Sequence, residues 1–404
     1  MTTVLELTEY ESAEVELTVE QANALQQDFG DRVTVAPAGV DTWRIVAQQF
    51  VGTLRSGDLV VHIAPKVGLR NLLALMDVEV PSEIWRQEIV ALQRDPDLLA
   101  VMARLFCVAM EDLSRRGIFR SYVAREERLV APRGRIDLVA QMRRPGLVSP
   151  VACRFDEHTA DTRVNRLLKA ALNVARRVPG VAPIWQRRLL MQLGLLDEVQ
   201  SGVRQVDWVE RWEPSAMELH YTTAVRLAAL LMRSSSLATQ AGNVNSNSFL
   251  LNMNSLFERW VGRRMDEILS VEVREQFSTS LGGDGEIGMN PDLTFWRGSQ
   301  VVAVADCKYK LTSVGLGRSS DYYQALAYAT VLGLRECWLL YARLPGETPA
   351  RDVAIRNSDI AVRTFALDLT GSIDAAVLQL HDFGRRLLAD TAMAQRGLQE
   401  VANR

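Results

Sequence analysis

The sequence predicts a mixed α+β and α/β multi-domain protein, and three observations carry that prediction. Its 404 residues exceed one typical domain. Hydrophobic spacing changes from short alternating runs near the start to helical periodicity in the middle. A small, polar stretch from Arg233 to Ser248 then precedes a part in which strands and helices alternate. The chain therefore divides into a β-rich N-terminal module (1–75), a mainly helical middle region (76–245) and a C-terminal α/β core (246–404).

Each element has a local reason. In the first module the β-like runs Val4–Leu7, Arg32–Ala36, Trp43–Phe50 and Leu59–Ala64 are separated by turn signals, Asp28-Phe-Gly-Asp31 and Arg55-Ser-Gly-Asp58 among them. The middle region carries helical spacing over Leu98–Ser114, Asp161–Arg177, Pro183–Leu196 and Ala216–Ser234, with a hairpin-like interruption near 118–139. Beyond the polar stretch, apolar residues at 256, 257, 260, 261, 265, 268 and 269 predict an amphipathic helix over Asn254–Leu269, entered through Asn254 or Ser255. A strand over Val271–Phe277 follows. Arg297-Gly-Ser-Gln300 is a turn signal between two apolar runs, so Pro291–Lys310 reads as an antiparallel hairpin. A helix over Asp321–Leu332 and a buried strand over Glu336–Tyr341 complete the core. The glycine-bearing stretches Gly282–Gly288 and Ser313–Ser320 flank the hairpin as loops.

The hairpin carries the chemistry. Pairing centred near Ser299 sets Asp292 opposite Asp306, and directly opposed residues share a face roughly 4.5–5.5 Å apart. Lys308, two residues beyond Asp306, shares that face, while Cys307 points the other way. Hard cations such as Mg²⁺ take one or two carboxylates plus waters and phosphate oxygens. A neighbouring lysine can orient an attacking water and offset phosphate charge. Taken alone, two acids and a lysine fit a charged strand end better than a catalytic site. The composition favours chemistry: of 46 lysines and arginines only Lys66, Lys169, Lys308 and Lys310 are lysines, and two of these sit beside the acid pair.

Composition sets further bounds. With 48% hydrophobic and 24% charged residues the chain is globular rather than disordered. It holds no apolar run of 18 residues, and its acidic N-terminus is unlike a signal peptide, so a cytoplasmic location is expected. Cys107, Cys153, Cys307 and Cys337 lack metal-ligand spacing and imply neither zinc nor disulfides. No phosphate-binding Gly-x-x-x-x-Gly-Lys-Ser/Thr loop occurs, so the chain does not hydrolyse nucleotides itself. A net charge of −3 means that any nucleic-acid surface is local. Arg104, Arg115, Arg116, Arg120, Arg125, Arg128, Arg133, Arg135, Arg143 and Arg144 concentrate positive charge in the middle region, for phosphate, for an acidic partner, or simply as solvated surface.

Pro291-Asp292 followed by Asp306-Cys307-Lys308 resembles the PD-(D/E)xK nuclease motif, and helix, strand, hairpin, helix, strand is the order of that restriction-endonuclease-like core. The resemblance implies Asp292, Asp306 and the Cys307 carbonyl as cation ligands, with Lys308 acting on the attacking water. It also implies a role for Glu258 in the first turn of the leading helix, where an acid is otherwise explained by the helix dipole. Gln324 and Tyr328, at i and i+4, are similar to the Gln-x-x-x-Tyr pair that positions DNA in RecB-type nucleases; Lys310 is a further DNA-contacting candidate.

Upstream, Phe50–Leu54, Leu59–Lys66, Asn71–Met76, Arg133–Asp137 and Val151–Arg166 resemble McrC, the nuclease subunit of McrBC-type restriction systems, so the resemblance spans nearly the whole chain. It implies a Mg²⁺-dependent endonuclease (Mn²⁺ being the alternative ion) that cuts modified, methylated DNA. It further implies docking of the N-terminal part onto a hexameric McrB-like AAA+ GTPase whose hydrolysis it stimulates, and dimerisation of nuclease domains for two-strand cutting. The alternatives are a regulatory subunit with a vestigial nuclease centre and a standalone metal-dependent nuclease.

Overall fold

A computed structural model describes residues 3–76, 97–144, 146, 149–202, 206–240, 248–282, 284–309, 319–343 and 352–402. It is a mixed α/β protein with several sheets and ten helices among those residues. The chain forms two compact units. One comprises Met1–Thr3, Thr53–Val60 and Val80–Phe249; the other comprises Val4–Gly52, Val61–Glu79 and Leu250–Arg404.

The first unit is built on helices Leu98–Arg116, Arg163–Ala175, Pro183–Gly194 and Thr222–Gln240. Asp97 caps the first of these by accepting the Leu99 and Ala100 N–H groups, and Arg55 pairs with the same carboxylate at 2.6 Å. The last helix starts six residues later than its periodicity predicts, because Leu219–Tyr221 forms a 3₁₀ turn ahead of it. The interruption near 118–139 is not a hairpin. Ser121–Leu129 and Arg135–Ile136 both pair with Val151–Thr159, which lies between them. The long partner strand lies beyond the expected turn, so local spacing could not reveal it.

Many of the clustered arginines are engaged within this unit. Arg125 pairs with Asp161 and Glu157, Arg116 with Asp112 and Arg120 with Glu198, while Arg133 lies over the Phe155 ring. Asp161 is buried and accepts from Arg125, Arg166 and the Gln200 N–H, which holds its carboxyl far below the usual range.

The second unit carries the α/β core. Its six-stranded sheet runs in the order Glu272–Glu275, Leu293–Arg297, Gln300–Lys308, Glu336–Arg343, Ala361–Asp368 and Val353–Ala354. The first three strands are antiparallel, whereas Gln300–Lys308, Glu336–Arg343 and Ala361–Asp368 are mutually parallel. A parallel pair needs a crossover, and helix Ser319–Val331 supplies it. That helix packs Ala325, Tyr328 and Ala329 against Val304, Leu339 and Tyr341 on one sheet face. On the other face, Phe257 of helix Met253–Ile268 meets Tyr309, and Phe383 of helix Ile373–Ala402 meets Trp338 and Phe365.

Helix Met253–Ile268 is capped two or three residues earlier than expected, which places Glu258 beyond its first turn. Asn252 is the cap and accepts the Asn254 and Ser255 N–H groups. Its buried stripe of Phe257, Trp260, Val261 and Met265 stabilises the docking by about 1.5–3 kcal/mol per large side chain. Within the same unit, the Tyr309 hydroxyl donates to buried Glu9, whose Oε1 also accepts the Lys66 N–H, tying the N-terminal segments to the end of the lysine-bearing strand.

Candidate functional site

The hairpin register decides which side chains meet. Arg297 pairs with Gln300 across the two-residue turn Gly298–Ser299, where Gly298 takes φ +63°. Trp296 pairs with Val301, but Phe295 pairs with Ala303, so Val302 is an extra residue in the lysine strand. Without this bulge a two-residue turn would set Asp292 against Ala305. With it, Leu293 pairs with Ala305, and Asp292 comes opposite Asp306. The expected pairing is therefore reached, by a shorter turn than centring on Ser299 implies plus one bulge.

Asp292, Asp306 and Lys308 are brought together, with Glu258 at their margin. Asp292 is buried; its Oδ2 accepts the Cys307 N–H at 2.8 Å and its Oδ1 accepts from Gln276 Nε2 at 2.9 Å. Gln276 Nε2 also donates to Glu258 Oε1, so one amide links two carboxylates. Asp306 is 1% exposed and ion-pairs with Lys308. Lys308 Nζ also donates to Gln324 Oε1 at 3.3 Å. Gln324 Nε2 reaches Tyr328 Oη at 2.6 Å, and Tyr328 donates to the Asn290 carbonyl at 3.2 Å. The Gln-x-x-x-Tyr pair thus belongs to the same cluster as the lysine. Lys310 and the loop residues 313–318 lie outside the described residues.

The electrostatics follow from burial. Desolvation, then neighbouring Glu258, raises Asp292 to about 7, and desolvation with the charge of Asp292 raises Asp306 to about 7. Burial pulls the Lys308 ammonium down, but its ion pair with Asp306 and the nearby Asp292 outweigh that and leave it above the ordinary lysine value. Burial pushes the Cys307 thiol well up, so the sulfur is no nucleophile.

These shifts have a measurable consequence. An unfolded Asp titrates near 3.9. Between about pH 4 and 7 the folded cation-free protein therefore holds protons that the unfolded chain has lost, so its stability falls as pH rises through that window and levels off above it. In thermal melts with chelator, the gain in melting temperature of Asp306→Asn over wild type is expected to grow from pH 5 to 7 and then plateau. A gap independent of pH would show that Asp306 is ionised throughout.

A divalent cation fits these donors. Asp292 and Asp306 are two buried carboxylates facing each other beside one ammonium, a hard-oxygen set whose negative charge Lys308 alone does not balance. Among the described residues no group of three or more His, Cys, Asp or Glu side chains is arranged as a ligand set. The described residues offer Asp292 and Asp306, with Glu258 linked to Asp292 through the Gln276 amide. Sequence reasoning missed Gln276. It sits inside the predicted strand Val271–Phe277, whereas the observed strand ends at Glu275 and Gln276 turns out of it at φ +50°. Nothing in the local sequence signals that turn.

Fold and site together define a mixed α/β protein whose acid–lysine cluster lies at the meeting of an antiparallel hairpin and a parallel crossover. The chain belongs to the McrBC 5-methylcytosine restriction system component family, which matches residues 45–342. It is also similar to a solved half-complex from a tetradecameric assembly of Thermococcus gammatolerans McrB AAA+ hexamers with bound McrC. That likeness has a TM-score of 0.59 at 17% identity and covers 96% of this chain and 100% of the matched one. A second structure, of the Thermococcus gammatolerans McrBC complex, matches with a TM-score of 0.44 at 19% identity, covering 68% of this chain and 90% of the other. No curated protein matches the chain. No helix among the described residues is long and apolar enough to cross a membrane.

Proposed function

We propose that the chain is the DNA-cutting subunit of a McrBC-type restriction assembly, with a PD-(D/E)xK core that hydrolyses phosphodiester bonds with Mg²⁺, or with Mn²⁺ in its place. The observation that carries this reading is the placement of Asp292 opposite Asp306, with Lys308 paired to Asp306 on the same face. Asp292 and Asp306 would hold the ion, together with the Cys307 carbonyl. Bound there, the ion supplies an acidified water and offsets charge on the scissile phosphate. Lys308 orients that water and can move a proton at Nζ once Asp306 is engaged elsewhere. Gln324 and Tyr328 fix the lysine from the crossover helix, and with Lys310 they are the residues we assign to contact the DNA strand.

The solved assembly that the chain resembles holds McrB AAA+ hexamers with bound McrC, and the partner proposed for this chain is such a hexamer, a GTPase onto which its N-terminal part docks and whose hydrolysis it stimulates. The substrate is modified, methylated DNA in the cytoplasm, and nuclease domains dimerise for two-strand cutting. The test is cleavage of methylated and unmethylated plasmid by wild type and Asp306→Ala, each with and without a McrB-type AAA+ protein, in Mg²⁺ with GTP or ATP. Cutting that requires partner, nucleotide and Asp306 is the expected result. Cutting by Asp306→Ala would refute the site. Cutting by wild type alone would favour a standalone nuclease, and stimulated nucleotide hydrolysis without cutting would favour a regulatory subunit.

A further inference from the structure

Gln276 is in a conformation that its side chain does not favour. Its φ of +50° lies in the left-handed region, which strains a non-glycine residue and persists where the surroundings demand it. Glycine would adopt this backbone freely, and asparagine tolerates it better than glutamine. Neither supplies the same reach. Glycine has no amide, and asparagine is one methylene shorter than the side chain that spans from the strand end to both carboxylates. The backbone is pinned as well, since the Gln276 N–H donates to the Asp292 carbonyl at 3.0 Å. Strain, a pinned backbone and an amide shared between Glu258 and Asp292 occur at one residue.

The chemistry of the bridging group is specific. Two neighbouring carboxylates repel, and the group between them must donate to both. A lysine or arginine would do so but would cancel the negative charge that attracts a cation. An amide donates without net charge, so the field of Asp292, Asp306 and Glu258 is left for the ion. The NH₂ side of the amide is turned to the two carboxylates, so Gln276 meets them with donors rather than with its oxygen.

We propose that Gln276 is a positioning residue that holds Glu258 beside Asp292 and thereby sets the affinity of this site for a divalent cation. This rests on the proposed hydrolase reading and adds a residue to its machinery. Gln276 and Glu258 act as one unit: without the amide, Glu258 is released from the site, and without Glu258 the amide has one carboxylate fewer to fix. Supporting groups of this kind typically change metal affinity about 10–100-fold.

The experiment is Mn²⁺ and Mg²⁺ titration of the full chain by calorimetry without DNA, comparing wild type, Gln276→Gly, Glu258→Gln, the double variant and Asp306→Asn. Gln276→Gly is expected to melt at or above the wild-type temperature, because glycine removes the backbone strain, while binding Mn²⁺ about tenfold or more weakly. A merely structural glutamine would show the reverse pattern. Glu258→Gln should weaken binding similarly, and the double variant should be no weaker than the singles, as for coupled partners. Unchanged cation affinity in Gln276→Gly, or losses that add fully in the double variant, would overturn the proposal. Asp306→Asn separates the two levels. If it too binds Mn²⁺ like wild type, the cation-site reading fails; if it alone loses binding, only the role of Gln276 fails.

Discussion

Lys308→Met is expected to lose DNA cutting and, without cation, to destabilise the fold, whereas Lys308→Arg recovers the stability but not the cutting. The reasoning starts from burial. Asp306 is 1% exposed and its positive partner is Lys308. Removing one member of a buried pair leaves an uncompensated charge and typically costs about 3–5 kcal/mol. The loss should appear mainly at pH 8 and shrink at pH 5, where Asp306 takes up a proton. Arginine restores the charge, so chelator-treated Lys308→Arg should melt close to wild type. Its guanidinium cannot give up a proton at accessible pH, so a role in proton movement is lost. A cutting rate lower by about 10²–10⁴-fold in both variants is the range for one positioned acid–base group. Cutting by Lys308→Arg at the wild-type rate would show that Lys308 contributes only charge. Chemical denaturation at the two pH values, alongside single-turnover cleavage, checks both halves.

The second large effect concerns register. Val302 is the extra residue of a bulge, so deleting it removes the bulge while leaving Phe295 opposite Ala303 and Asp292 opposite Asp306. Inserting an alanine after Val302 has no such outlet. It moves Asp306 by one position and turns its side chain to the other sheet face. Deletion is therefore expected to keep cutting within about tenfold of wild type, a change of about 1.4 kcal/mol in barrier. Insertion is expected to lower it by about 10³-fold or more, at least the loss of one fixed electrostatic group. Circular dichroism must show both variants folded. If deletion abolishes cutting while insertion spares it, the bulge does not set the register.

The C-terminal core was legible because its signals are local. Alternating apolar runs, a turn tetrapeptide and helical spacing placed the hairpin, both helices and the following strand within a few residues of where they lie. The acids and the lysine were legible because strand parity puts residues two apart on one face. Gln324 and Tyr328 were found from i, i+4 spacing, and the fold adds that they hold the lysine itself. The middle region was less legible. The strand Val151–Thr159 pairs on both sides with segments at least 15 residues away, and no local pattern encodes such a partner.

The sequence by itself determined the mixed α/β character, the order of the core elements and the choice of Asp292, Asp306 and Lys308 as a trio on one face, since each depends on side-chain type and near-neighbour spacing. Only the tertiary structure decided the bulge at Val302, the left-handed turn at Gln276 and the amide shared between Glu258 and Asp292. Those three features depend on how separate strands and a helix end meet in space. The burial that raises the two aspartates is also a property of the packed sheet, because desolvation exists only once the neighbouring layers are in place.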